Sequence, residues 1–200
     1  MSQYIKFSYE RVAVEITSFG RLAELNAHRR KLLQLDLIGV DSHGIGFGNL
    51  SLRDGATDNF YITGSATGGI DELTLANCAR IVTYDFERNF VRYEASAIPS
   101  SESLTHAAIY KADAAAEAVI HCHDSKLWTA LLNQVPTTSK AANYGTPRLA
   151  HEIMQLFTCT DVQRRKIVVM AGHKGGIVTF GKKLEDAFAV LMRERKKFYY

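Results

Sequence analysis

The most informative stretch of the sequence is Ala118-Val119-Ile120-His121-Cys122-His123. Its apolar, β-branched start predicts a short buried strand. Because alternate side chains of a strand share a face, we expect His121 and His123 on one side of the sheet and Cys122 on the other. Two imidazoles on one face at a strand end can bind one divalent ion, although a His-x-His pair is also compatible with core or surface histidines.

A catalytic zinc needs a third protein ligand, and two further residues are candidates for completing such a site. His173 follows the apolar segment 167–171, and its glycine-flanked loop would let it approach an ion, the alternative being a loop histidine in a tight turn. Glu102 follows Pro99 and two serines at a predicted helix start. It either complements the helix dipole there or faces the metal as a base or fourth ligand. The free N–H groups of this helix start would also suit an anion.

Hairpins mixed with helices predict a mostly antiparallel sheet that is covered by helices. One predicted hairpin turns at Asp54-Gly55 and a second at residues 87–89. The glycines of segment 39–48 predict a loop. The predicted strands are 49–53, 59–63, 81–85, 90–94, 118–123, 166–171 and 176–180, and the predicted helices are 11–36 (broken at Gly20 and Asn26), 100–113, 124–134, 146–158 and 184–198.

Composition and charge exclude several classes of protein. Hydrophobic residues make up 46% of the 200 residues and charged residues 22%, which excludes disordered, collagen-like and disulfide-scaffold proteins. No apolar run approaches the ~20 residues of a membrane span, and charges near the N-terminus argue against a signal peptide. The net charge of +3 resides in segment 193–197, so neither nucleic acid nor a membrane is an expected partner. Without a linker, residues 1–200 are predicted to form a single domain, and three scattered cysteines predict a cytoplasmic location.

A series of short motifs occurs along residues 10–195. In chain order they are Gly48-Asn49-Leu50-Ser51-Leu52-Arg53, Tyr61-Ile62-Thr63-Gly64-Ser65-Ala66-Thr67-Gly68-Gly69, Pro99-Ser100-Ser101-Glu102, His106-Ala107-Ala108-Ile109-Tyr110, Val119-Ile120-His121-Cys122-His123, Tyr144-Gly145-Thr146-Pro147, Gly172-His173 and Leu184-Glu185-Asp186-Ala187-Phe188. In this order the motifs resemble those of the class II aldolase/adducin family. The resemblance implies the α/β class of that family, a three-layer α/β/α fold with a central, largely antiparallel sheet.

The resemblance also implies roles for individual residues. His121, His123 and His173 correspond to the zinc ligands. Glu102 corresponds to the acidic residue that binds zinc in the resting site and acts as the base when substrate arrives. Thr63-Gly64 and Thr67-Gly68 could both fill one position of the substrate-phosphate site, and we favour the second pair. The residues that match the phosphate loops are Gly48, Asn49, Thr67, Gly68, Ser100 and Ser101.

The activity implied by the resemblance is that of a zinc-dependent aldolase, a lyase that cleaves a C–C bond of a ketose or ketose phosphate through a metal-stabilised enediolate. Another divalent metal could take the place of zinc. The partners implied are a small-molecule sugar or sugar phosphate and three further copies of the chain, in a homotetramer with active sites at subunit interfaces. The alternatives are a sugar-phosphate dehydratase or epimerase on the same scaffold, or a non-catalytic adducin-like interaction module.

Several residues near the motifs carry weaker expectations. His106 is predicted to pack in a helix with hydrogen-bonded ring nitrogens, and Lys126 to be a solvated lysine. Tyr199 and Tyr200 end the chain. In aldolases of the family that the chain resembles, the C-terminal tail can reach an active site and offer a tyrosine as a proton donor. The remaining histidines, predicted at surface or loop positions, are His28, His43 and His151.

Overall fold

The protein folds into a mixed sheet with helices on both faces, as a computed structural model describes for residues 5–199. Its strands are β1 (Ser8–Val12), β2 (Gly39–Val40), β3 (Gly46–Phe47), β4 (Asn49–Arg53), β5 (Phe60–Thr63), β6 (Cys78–Asp85), β7 (Phe90–Glu94), β8 (Ala118–His123), β9 (Ile167–Val169) and β10 (Gly176–Gly181). Its helices are α1 (Leu22–Gln34), α2 (Ser103–Ala112), α3 (Ser125–Leu131), α4 (Pro147–Cys159), α5 (Val162–Arg165) and α6 (Leu184–Tyr199), with a single 3₁₀ turn at Leu75–Asn77.

Eight strands form one sheet in the order β1-β7-β6-β5-β4-β8-β10-β9, while β2 and β3 pair separately. Neighbours in the large sheet are antiparallel except β1 and β7, which run parallel. The prediction of a central, largely antiparallel sheet is therefore confirmed. Among the described residues, no helix is both long and apolar enough to cross a membrane.

Each face of the sheet carries its own hydrophobic core, which makes the fold three-layered. Helices α2, α4 and α5 cover one face, where Leu104, Ile153 and Val162 are buried. Helices α1, α3 and α6 cover the other, where Leu32 and Leu191 are buried. The two cores follow from strand alternation, because successive side chains of a strand enter opposite layers. The predicted three-layer α/β/α arrangement is confirmed.

Local signals placed most elements correctly. Both predicted hairpins form, with Asn89 at a positive φ of 47° in the turn of the second. Asp124 caps α3 by accepting a hydrogen bond from the Leu127 N–H, and Thr146 caps α4 in the same way. These elements are determined by contacts between near neighbours in sequence, which is why the sequence pattern identifies them.

The predicted helix over residues 11–36 is wrong in its first half. Residues 8–12 instead form β1, which pairs in parallel with β7 some eighty positions later in the chain. Asn26 does not break the helix, because its side-chain amide donates to the carbonyl of Leu73 and accepts from the N–H of the same residue. Helix α5 and the β2–β3 pair were not predicted. The errors at residues 8–12 and at Asn26 come from partners far away along the chain, which a local pattern does not contain.

Arg29 of α1 is buried, and its guanidinium binds main-chain carbonyls of the loop that follows β5. It donates to the carbonyls of Thr67 at 2.6 Å, Gly68 at 3.0 Å and Asp71 at 3.2 Å, and also to that of Ile70. Within the described chain it has no carboxylate in ion-pair contact. The charge is thus satisfied by peptide dipoles, which fixes the course of residues 67–71.

We expect Arg29→Met to lower the free energy of unfolding by about 2–4 kcal/mol, because the apolar side chain leaves several buried carbonyls without donors. Arg30→Met is the matched control: Arg30 is exposed on the same helix, and its replacement should change stability by less than about 0.5 kcal/mol. Urea denaturation of both variants measures the difference. Equal stability of the two variants would contradict the role of Arg29.

Candidate metal centre

Strand β8 presents its two histidines on one face of the sheet, as its alternation predicts. The imidazole rings of His121 and His123 lie 5.0 Å apart between centroids, whereas Cys122 is buried in the core of the opposite face. The strand is central in the sheet, between β4 and β10, so its position is fixed from both sides. The pair therefore projects from a rigid part of the fold.

His173 reaches the same place from the turn between β9 and β10. Its ring centroid lies 5.2 Å from that of His121 and 4.6 Å from that of His123. The turn is closed by hydrogen bonds from the N–H of His173 to Met170 and from the N–H of Gly176 to His173. One ring nitrogen from each histidine lies within 4.8 Å of the others, so small side-chain rotations would bring all three onto one ion.

Glu102 completes the cluster from the N-terminal end of α2. The carboxylate is buried, and its Oε2 accepts a hydrogen bond from the Thr105 hydroxyl. Its Oε1 lies 3.2 Å from His173 Nδ1. This separation is close to the ~3.4 Å between two ligand atoms of a tetrahedral zinc with bonds of about 2.0–2.1 Å.

Three buried polar atoms of this cluster have no hydrogen-bond partner: His121 Nε2, His173 Nδ1 and Glu102 Oε1. Buried polar atoms are normally paired, so three such atoms in one place call for an additional ligand. Two imidazole nitrogens and a carboxylate oxygen are a donor set that suits a divalent ion. The residues therefore fit a metal.

The protonation states agree with metal binding. Burial holds the pKa of His121 well below its ordinary value and lowers that of His123 to about 4, so both rings are neutral near pH 7. Burial opposes ionisation of Glu102, but the closeness of His173, His121 and the Thr105 hydroxyl lowers its pKa to about 2. Neutral imidazoles and an ionised carboxylate are the forms that ligate a metal.

The cluster lies in a cleft of about 810 Å³. All ten residues that the sequence singled out for the site contribute to its walls, namely Gly48, Asn49, Thr67, Gly68, Ser100, Ser101, Glu102, His121, His123 and His173. A β-bridge between Gly64 and Pro99 holds the two predicted anion loops side by side. The structure thus brings together residues that are more than a hundred positions apart.

The glycines of the cleft are required by close packing. Gly48 has a φ of +75°, and a Cβ there would lie 2.3 Å from Ile38 Cγ2. At Gly68 a Cβ would lie 2.0 Å from the carbonyl oxygen of Gly39. Thr67 and Gly68 both line the cleft, as does Gly64 of the other Thr-Gly pair, so the choice between the two pairs stays a prediction.

The predicted anion-binding side chains differ in whether the protein itself already engages them in hydrogen bonds. The hydroxyl of Ser101 forms no hydrogen bond within the described residues, whereas that of Ser100 accepts from the N–H of Glu102 at 3.3 Å. Thr67 donates its hydroxyl to the carbonyl of Gly64 at 2.8 Å. The side chain of Asn49 lies between two buried histidines. Ser101 is therefore the side chain of this group that is most available to a ligand.

The sequence did not single out several residues that line the same cleft. The ring of Tyr144 packs on His173 at 4.7 Å and that of Phe47 on His123 at 5.6 Å. Asp124, Arg195 and Tyr199 meet at the rim. Of these, Tyr144 lay in a motif that carried the family resemblance, and Tyr199 had been considered as a tail tyrosine. No sequence motif pointed to Phe47, Asp124 or Arg195.

The other histidine predictions can be compared with the structure. His106 is fully buried with both ring nitrogens hydrogen-bonded, as expected. His43 and His151 are exposed, also as expected. The surface position predicted for His28 is wrong, because its ring is buried between α1 and α6, where it contacts Glu185 at 2.8 Å. Lys126 is exposed and lies over the ring of Tyr199. Tyr200 lies outside the described residues.

Comparison with known proteins gives a consistent picture. The sequence profile of the Class II Aldolase and Adducin N-terminal domain matches residues 42–193. No curated protein matches the chain in sequence.

Similar solved structures cover nearly the whole chain. An L-fuculose 1-phosphate aldolase superposes with a TM-score of 0.67 at 24% identity, covering 90% of this chain and 84% of that one. A sugar-phosphate aldolase from Thermotoga maritima gives 0.63 at 16% identity, with 87% and 90% covered. The N-terminal class II aldolase domain of a conserved protein from Thermoplasma acidophilum gives 0.60 at 17% identity, with 94% and 98% covered. At these identities the likeness concerns the fold.

The buried histidines also determine how stability changes with pH. Burial lowers the pKa of His106 to about 3, whereas the unfolded chain takes up this proton near pH 6.5. The contribution of His106 to stability is therefore complete above about pH 6.5 and is lost progressively as pH falls towards 3. We expect His106→Gln to reduce the slope of unfolding free energy against pH by about 1 kcal/mol per unit between pH 6 and 5.

This slope is measured by urea denaturation in the presence of a chelator, with wild type and variant side by side. His43→Gln, at an exposed loop position, is the control and should keep the wild-type slope. The same slope in wild type and His106→Gln would rule out the burial effect.

Proposed function

The chain belongs to the Class II Aldolase and Adducin N-terminal domain family, and from this we propose that it is a metal-dependent lyase that cleaves a carbon–carbon bond of a ketose or ketose phosphate. The observation that carries the proposal is the cluster of three histidines and one buried carboxylate, in which His121, His173 and Glu102 each have a buried atom without a hydrogen-bond partner. A non-catalytic interaction module would not need to bury these groups without partners at the wall of a cleft.

His121, His123 and His173 would hold the metal, with Glu102 as a fourth ligand in the resting site. We propose zinc, because nitrogen ligands with one carboxylate suit it, and another divalent ion with similar preferences could substitute. When bound, the ion supplies a Lewis acid that stabilises negative charge on the oxygens of the substrate.

Glu102 is proposed as the base that exchanges the proton on the donor carbon of the substrate. In the resting site the contact with His173 favours its ionised form, which makes it a weak base. Burial acts in the opposite direction and raises the carboxyl pKa. Glu102 would have to leave the metal when substrate binds. Away from the contacts of the resting site, its burial would raise the carboxyl pKa and make it a better base, which suits proton abstraction.

An anionic group of the substrate would bind at the loops beside α2. The Ser101 hydroxyl is free for a ligand, and the first N–H groups of α2 lie next to it. Thr67, Gly68, Ser100 and the Gly48–Asn49 turn form the rest of this wall of the cleft. A phosphate is the anion that the family resemblance favours, and we propose that the substrate carries one.

The assembly and location stay predictions. A homotetramer would cover apolar side chains such as Leu35, Val40 and Ile70, which are 36%, 46% and 36% exposed in the single chain. The cytoplasmic location rests on cysteines that are free thiols, two of them buried. The single domain over residues 1–200 likewise stays a proposal.

We expect purified protein to contain about one zinc ion per chain, and His123→Ala to lose most of it, because only two imidazoles remain. Elemental analysis after gel filtration measures the content. His151→Ala, at an exposed position on α4, is the control and should retain the wild-type amount. Equal zinc in wild type and His123→Ala would remove the assignment of this ligand.

We expect Glu102→Gln to keep the zinc and lower turnover by at least ~100-fold, because an amide is not a base near neutral pH. The assay follows exchange of the donor-carbon proton with D₂O and release of aldehyde across a panel of ketoses and ketose 1-phosphates. Product analysis separates C–C cleavage from dehydration or epimerisation. Turnover of Glu102→Gln within a few-fold of wild type would contradict the proposed role.

A further inference from the structure

A line of buried polar side chains leads from α2 to the metal cluster. The Tyr110 hydroxyl is 2.7 Å from Ser51 Oγ, which is 2.6 Å from Nδ1 of His106. Nε2 of His106 is 2.6 Å from Asn49 Oδ1, and Asn49 Nδ2 is 3.3 Å from Nδ1 of His121. All five side chains are buried, with Asn49 the most exposed at 6%.

The periodicity of the elements produces this line. Asn49 and Ser51 are two positions apart on β4 and share a face, and Asn49 lies opposite His121 in the pairing of β4 with β8. His106 and Tyr110 are four positions apart on α2 and share a helix face. Helix and sheet therefore present polar groups to one another in register, inside an otherwise apolar layer.

The hydrogen bonds can be satisfied in two proton arrangements. With the Asn49 amide as it stands, Nδ2 donates to Nδ1 of His121, so the His121 proton is on Nε2, which faces the cluster. A 180° rotation of the amide exchanges the ends: Oδ1 then accepts from Nδ1–H of His121, and Nδ2 donates to Nε2 of His106. In that arrangement His106 donates Nδ1–H to Ser51, and His121 Nε2 has a free lone pair.

We propose that Asn49 is a positioning residue of the metal centre: its amide oxygen accepts Nδ1–H of His121, with His106 and Ser51 holding the amide in place. The His121 nitrogen that faces the cluster then carries no proton and is available as a ligand. A ligating histidine commonly donates its other N–H to such a partner, which fixes both its tautomer and its orientation. The inference rests on the proposed metal site but not on the reaction or its substrate.

This assignment adds a role to a residue that the family resemblance places in the phosphate loops. Each end of the Asn49 side chain contacts one imidazole. An amide carries two N–H donors, so its second N–H stays free to reach an anion. Replacing the Asn49 side chain should therefore weaken Zn²⁺ binding even when no substrate is present.

Two substitutions at position 49 separate the proposed role from a merely structural one. Asn49→Leu removes the acceptor at similar volume and should weaken Zn²⁺ binding by about 10–100-fold. Asn49→Asp supplies an acceptor to both histidines and should keep the affinity within about threefold of wild type or increase it. Tyr110→Phe, at the far end of the line, is the control and should stay within about twofold. Zn²⁺ alone is titrated against a competing chelator, and thermal unfolding of the metal-free proteins reports on folding.

The outcomes are distinct. Equal losses in Asn49→Leu and Asn49→Asp, or wild-type affinity in Asn49→Leu, overturn the inference while the metal site stands. Absence of Zn²⁺ binding by the wild type overturns the proposed function and this inference together. Should Asn49→Leu fail to fold, ¹⁵N NMR of histidine in the Zn²⁺-loaded wild type gives the answer directly: His121 protonated at Nδ1 supports the role, and His121 protonated at Nε2 refutes it.

Discussion

One constraint governs the structure: strand β8 places histidine side chains, which are polar, inside a packed protein. Its neighbours β4 and β10 and the layers on both faces leave little water there, and a buried polar group without a partner costs about 1–3 kcal/mol. Partners for the His121 ring come from two sides. Its Nδ1 is hydrogen-bonded to Asn49 inside the protein, and its Nε2 faces the cleft, where a metal would bind it.

The cleft itself follows from sheet register. The pairing of β4 with β8 places Asn49 opposite His121, and the pairing of β10 with β8 places Gly176 opposite His123, which brings the His173 turn to the strand end. Glu102 enters from the third direction, at the start of α2. Main-chain pairing fixes His121 and His123, a helix terminus fixes Glu102, and a short hydrogen-bonded turn fixes His173. Groups held in this way favour a preorganised site.

The elements that the sequence identified are those whose signal is local. Alternation in 118–123 placed both histidines on one face, and the turn at residues 87–89 and the cap at Thr146 needed only near neighbours. Local patterns also suggested Glu102 and His173, but only motif order joined them to this pair and added the six predicted residues of the anion loops, since no spacing rule connects Glu102 to His173. The helix predicted from residue 11 failed because of a distant partner: residues 8–12 are mostly polar and exposed, and they form a strand by pairing with β7. The sequence predicts His28 at the surface, whereas in the structure its ring is buried and contacts Glu185, which is far away along the chain.

The C-terminal helix shows how the same strand organises the rim of the cleft. Asp124 directly follows His123, and its carboxylate accepts hydrogen bonds from the Leu127 N–H, Arg195 Nε at 3.0 Å and the Tyr199 hydroxyl at 2.7 Å. Burial and the neighbouring Asp124 raise the pKa of Tyr199, so its phenol keeps its proton near neutral pH. A tail tyrosine that serves as a proton donor would first have to leave this carboxylate. In the single chain, the bond to Asp124 therefore makes Tyr199 a wall of the cleft, held by the residue next to a candidate metal ligand.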